Sequence, residues 1–176
     1  MNMKQAVGSV FGKYVTFSGR APRSEFWWFV LFVIIVSIVL AILDSMIFGV
    51  NAVTGEPRQV LSGIFQLAVF LPALAVGFRR MHDSGRPGWY YLAPFLIVVV
   101  LSLISVVGLA VAVKLGPEGL ESGAGMMMGG VAVMLIGIAQ LVLTVLMIYW
   151  LTRPSDPAEN RYGPPVVGAA APSAPE

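Results

Sequence analysis

The chain has 176 residues, 57% hydrophobic and 11% charged, with a net charge of +2 and a mean hydropathy of +0.84. A soluble domain carries about 25% charged residues, so this composition excludes a disordered chain and argues against an ordinary soluble globule. The complete lack of cysteine excludes disulfides, thiolate metal sites and cysteine nucleophiles.

Residues 2–16 read as a short amphipathic helix, with Met3, Val7, Val10, Phe11 and Tyr14 on one face and Lys4, Ser9 and Lys13 off it. Gly8 and Gly12 make such a helix marginal in water. Lying at the inner leaflet would stabilise it, with lipid taking the apolar face and anionic head groups the lysines. The alternative is packing on the cytoplasmic end of a bundle. Ser18-Gly19 breaks the helix, Pro22 suits the first turn of the next one, and Glu25 complements its dipole. The first 25 residues show no apolar stretch followed by a cleavage site, so the first span is expected to serve as the insertion signal and remain.

Four apolar runs follow, 26–48, 60–78, 89–113 and 126–151, and together they hold 93 residues. Roughly 20 residues of helix cross a hydrocarbon core of about 30 Å. Asp44 is the only charge within the runs. They neither alternate like strands nor stop at strand length, so the expected fold is an all-α four-helix transmembrane bundle with the N-terminal interfacial helix beside it. The second run is the weakest, because it includes Gly63, Gln66, Pro72 and Gly77. Charge supports it. Four spans put nine cations on one side (Lys4, Lys13, Arg20, Arg23, Arg79, Arg80, Arg86, Arg153 and Arg161) and only Arg58 and Lys114 on the other. The positive-inside rule then places both termini and the 79–88 loop in the cytoplasm. Residues 1–163 form one membrane domain in this reading. The loop of 114–125 is Gly-rich with Glu118 and Glu121, and 164–176 has the composition of a disordered tail.

Two segments concentrate polar chemistry on the cytoplasmic side. One is Gly19-Arg20-Ala21-Pro22-Arg23-Ser24-Glu25 and the other is Arg79-Arg80-Met81-His82-Asp83-Ser84-Gly85-Arg86. Arg20, Arg23, Arg79, Arg80, Arg86 and Arg161 are candidates for binding an anion or a lipid head group, since guanidinium forks match phosphate. The competing expectation is mutual pairing, with Arg20 or Arg23 on Asp83 and Arg79 or Arg80 on Glu25, His82 lying among them. His82 and Asp83 invite a catalytic reading, but no nucleophile accompanies them and a lone histidine falls short of a metal site. Neither a catalytic residue nor a metal or cofactor is expected.

Within the spans, Asp44, Gln66 and Gln140 are the notable polar side chains. An intramembrane acid suggests a proton or cation relay, whereas an acid close to the span's end suits an inter-helix hydrogen bond. Small residues recur every seven positions, Gly130, Gly137 and Thr144 in one span and Ala68 and Ala75 in another, which suits close helix packing. Pro72 and Pro94 are expected to kink their spans.

The segments Phe17–Trp27, Arg79–Trp89 and Asn160-Arg161-Tyr162-Gly163-Pro164 resemble, in that order, three motifs of the domain-of-unknown-function 805 family of small bacterial inner-membrane proteins. Pro22 and Pro87 stand where serine is commoner in that family. The resemblance implies a bacterial cytoplasmic membrane, no particular activity, and one cytoplasmic face formed by the three motifs. The leading expectation is a non-enzymatic membrane protein whose arginine-rich face binds anionic lipid, another copy of itself or another membrane protein, with no nucleic-acid partner. The alternatives are an oligomeric transporter or channel using Asp44, Gln66 and Gln140, and a head-group enzyme using His82 and Asp83.

Overall fold

The computed structural model describes residues 1–51, 53–114 and 123–166. Among these the regular structure is helical, in chain order α1 (Met3–Gly12), α2 (Arg23–Phe48), α3 (Val60–Asp83), a 3-10 turn (Gly88–Tyr91), α4 (Ala93–Lys114) and α5 (Gly123–Thr152). Two compact units result, Met1–Gly88 with Arg153–Glu176, and Trp89–Thr152. Glu118, Glu121 and the greater part of the expected tail, from 167 on, lie outside the described residues.

In the first unit, Asn2 starts α1 with a reciprocal cap. Its side chain accepts from the Gln5 amide at 2.9 Å, and its own amide donates to Gln5 Oε1 at 3.0 Å. The helix is shorter than the expected 2–16. It closes at Gly12, where the Lys13 amide bonds back to Ser9 and Val10 and the chain leaves helical geometry. The buried stripe also differs from the expected one. Ala6 and Val10 are fully buried as α1 packs on α2, while Met3 and Phe11 stay partly exposed.

Pro22 precedes α2 as its extended N-cap, one step earlier than the first-turn position expected from sequence, and Glu25 lies in the first turn. The start of α3 is capped from another helix. Asp44 in α2 is fully buried, and its carboxylate accepts from the amides of Leu61 at 2.8 Å and Ser62 at 2.9 Å. These are orphan amides of a helix N-terminus, whose partial positive charge suits an anion. A helix-capping acid therefore accounts for Asp44. Gln66 is exposed on α3. Phe11, Phe29, Phe32 and Phe65 make a chain of ring contacts 5.9 to 6.4 Å apart that joins α1, α2 and α3.

α3 continues five residues beyond the apolar run that ends at Phe78, so Arg79, Arg80, His82 and Asp83 are helical and not part of the expected 79–88 loop. The reversal is confined to Ser84–Pro87, with Gly85 at φ +73°. Gly88 lies under the Phe78 ring, where an added Cβ would stand 2.2 Å from Cδ1.

In the second unit the expected run 89–113 divides into the 3-10 turn and α4, and α4 packs against α5. Tyr90 and Trp150 lie 5.2 Å apart. Gln140 Nε2 donates to Thr144 Oγ1 at 3.4 Å on its own helix. Among the described residues, three helices are long and apolar enough to cross a membrane: Arg23–Phe48, Val60–Asp83 and Val133–Thr152. Leu31, Ile34, Ile38 and Ile42 stand exposed along α2, a surface suited to lipid and not to water. The architecture is that of a helical membrane protein.

Candidate functional site: a buried arginine cluster

The polar residues of the two arginine-rich segments converge in the first unit. Asp83, the last residue of α3, is fully buried between two guanidinium groups. Arg20 Nε reaches its Oδ1 at 3.0 Å, and Arg80 Nη1 reaches its Oδ2 at 2.6 Å. Arg80 is the helical neighbour three residues earlier, so one helix presents both members of that pair. Glu25, 2% exposed in the first turn of α2, accepts from Arg79 Nη2 at 3.1 Å and from Ser9 Oγ at 3.2 Å. Lys13 Nζ lies 3.9 Å from the same oxygen.

Arg20, Arg79 and Arg80 are themselves buried, at 7%, 1% and 0% exposure. Two carboxylates cannot occupy all their donors, and most of the remainder go to main-chain carbonyls. Arg79 Nη1 donates to Thr16 O at 2.6 Å and Lys13 O at 3.4 Å. Its Nε is the cluster's one buried side-chain nitrogen without a partner among the described residues. Arg20 donates to Ala158 O at 2.9 Å, to Gly163 O at 3.4 Å, and to the carbonyls of Asp83 and Asp156. Arg80 Nη2 donates to Arg153 O. The cluster therefore ties together the segment after α1, the start of α2, the end of α3 and the residues following α5. Two main-chain bonds reinforce it, Ala21 N to Arg79 O at 3.0 Å and Asp156 N to Asp83 O at 2.9 Å.

His82 faces a different set of partners. Its Nδ1 lies 3.2 Å from Gly19 O, and its ring stacks on Tyr162 with centroids 3.8 Å apart and planes 5° apart. The Arg161 guanidinium covers the Tyr162 ring at 4.7 Å. Asn160 Nδ2 donates to His82 O at 3.1 Å, and Asn160 Oδ1 accepts from the Tyr162 amide at 2.9 Å. His82 and Asp83 thus have separate partners, and the Asp83 oxygens are engaged by arginines. A general base needs an accessible lone pair beside its substrate, which this carboxylate does not offer. Among the described residues no group of three or more His, Asp or Glu side chains is arranged to hold a metal ion.

The other cations lie nearer the surface. Arg23 and Arg161 are exposed, and Arg86 is half-buried with Nη1 on Ser84 O at 3.1 Å. The sequence had given no role to Ser9, to Asp156 or to the carbonyls of 153–163. Only the Asn160–Pro164 motif hinted at that last segment, because a carbonyl acceptor leaves no mark on residue type.

Comparison with known proteins bears on the same segments. Inner membrane protein YhaH of Escherichia coli strain K12 is 43% identical over 99 residues, 53% of this chain and 79% of YhaH. Inner membrane protein YhaI of the same strain is 38% identical over 96 residues, 53% of this chain and 75% of YhaI. No solved structure matches. The family model described as Protein of unknown function (DUF805) matches residues 14–164, a stretch that runs from Tyr14 through both arginine-rich segments to the end of the Asn160–Pro164 motif, and the chain belongs to that family.

Proposed function

We propose that this chain is a non-enzymatic, four-span protein of the bacterial inner membrane, with both termini in the cytoplasm, whose cytoplasmic arginine-rich face binds anionic lipid head groups. The observation carrying this reading is the division of labour among the cations. Arg20, Arg79 and Arg80 are buried against carboxylates and carbonyls and act as a clamp, while Lys4, Arg23, Arg153 and Arg161 stand exposed on the same unit. A clamp that fixes the backbone beneath exposed cations holds them as a patch, and each cation near an anionic surface contributes about 1 kcal/mol. The membrane placement is supported by the three apolar helices and by the names of the relatives. α1 suits the membrane surface because Lys4 is exposed and Met3 and Phe11 keep part of their apolar surface uncovered, while Ala6 and Val10 are buried.

The test is the lipid that co-purifies with the protein. Replacing Arg23, Arg153 and Arg161 together by Gln is expected to cause a severalfold loss of phosphatidylglycerol and cardiolipin relative to phosphatidylethanolamine. A monodisperse triple variant that keeps its anionic lipid would refute the reading and turn attention to a protein partner.

A further inference from the structure

α3 carries a proline in its interior, and the hydrogen bond that this proline removes is replaced from elsewhere in the chain. Pro72 is buried within the helix. It has no amide hydrogen, so the carbonyl of Ala68, four residues earlier, loses its helical donor. That carbonyl belongs to a helix apolar enough to cross a membrane. In hydrocarbon an unpaired peptide oxygen has no water to turn to. The Tyr14 hydroxyl donates to this same oxygen, from 54 positions away in sequence. Tyr14 sits in the turn directly after α1, and α1 is held on α2 by the fully buried Ala6 and Val10.

We propose that Tyr14 is a latch that supplies the donor Pro72 denies to Ala68, so that docking of α1 and the conformation of α3 around Pro72 form one coupled equilibrium. With α1 docked, the proline-containing turn has its acceptor satisfied. With α1 released, α3 holds an unpaired carbonyl in its apolar stretch and must bend or find another donor there. Coupling of this kind is reciprocal. A force that lifts α1 from α2 is felt in the middle of α3, and a ligand or lipid that bends α3 at Pro72 loosens α1. The proposal stands independently of lipid binding by the exposed arginines.

The chain has no cysteine, so a single introduced thiol reports cleanly. Ala6→Cys places one beneath docked α1, and Val10→Cys is a second such position. The rate of maleimide labelling of the full-length protein in detergent micelles then measures how often α1 lifts. Tyr14→Phe keeps the ring and removes only the hydroxyl, and labelling is expected to rise about fivefold, the loss of one net hydrogen bond. Pro72→Ala restores the helical amide, so the same Tyr14→Phe change is then expected to leave labelling within about twofold. Pro72→Gly restores the same amide and replaces Pro72→Ala if that variant is not monodisperse. An equal rise with and without the proline, or no rise with the proline present, overturns the latch.

Discussion

Asp83 is surrounded by more positive charge than its single carboxylate balances, and that makes it the most sensitive residue in the cluster. Arg20 and Arg80 both pair with it in a setting from which water is excluded. Taking charges out of water is costly, and the cost is offset only while the partner is present. Asp83→Asn keeps the shape and removes the charge, leaving two buried guanidinium groups facing an amide. The expected loss is about 3–5 kcal/mol, read as a large fall in the unfolding midpoint in detergent. Gly88 is sensitive for a steric reason. A methyl group there would lie 2.2 Å from Phe78 Cδ1 and 2.6 Å from Cγ, and the Phe78 ring is itself in edge contact with Phe17 at 5.3 Å. Gly88→Ala is expected to cost about 1–3 kcal/mol, much of it recovered when Phe78→Leu is added, as a double-mutant cycle would show. Residue identity alone brought the arginines and acids to one end of the molecule. Of the pairs expected from sequence, Arg20 meets Asp83 and Arg79 meets Glu25, but Arg80 joins Asp83 and not Glu25, because pairing depends on helical phase. Because α3 runs through Asp83, Arg79 and Arg80 point in directions about 100° apart, one toward Glu25 and the other toward Asp83.

At the scale of elements, the apolar runs were legible because lipid demands a length and a composition that leave a plain trace in sequence. The helix ends were less legible. Sequence suggested a polar loop after Phe78, yet α3 continues because its polar last turn has buried partners waiting in other segments. The beginning of α3 was equally hidden. Its cap is neither its own Gln59 nor a neighbouring Ser or Thr, but Asp44 from the preceding helix. Asp44→Ala is expected to leave the Leu61 and Ser62 amides unpaired and cost about 1–2 kcal/mol, with faster hydrogen exchange confined to the first turn of α3. Asp44→Asn keeps an acceptor and should lose less. Unchanged exchange at Leu61 and Ser62 in Asp44→Ala would refute the capping role.

For the whole molecule, the distribution of charge carries the expected topology. In the proposed four-span topology nine cations fall on one side and two on the other. A reporter joined after Arg86 is expected to read as cytoplasmic, and one joined after Arg58 as external. The opposite pattern would remove both the four-span reading and the cytoplasmic placement of the arginine face.

Arg20 and Arg80 grip the segment after α5 by its peptide oxygens, at Arg153, Asp156, Ala158 and Gly163. This has a consequence in time. On a ribosome adding roughly 5–20 residues per second, Asp83 and its arginines emerge several seconds before those oxygens exist. During that interval the nascent protein carries half-satisfied guanidinium groups, and anything with spare oxygens nearby, water or a phosphate, must serve in their stead. The cluster is closed by a segment made only after every described helix. A stop codon placed just before Arg153 would therefore spare the long helices and still leave the molecule unfastened.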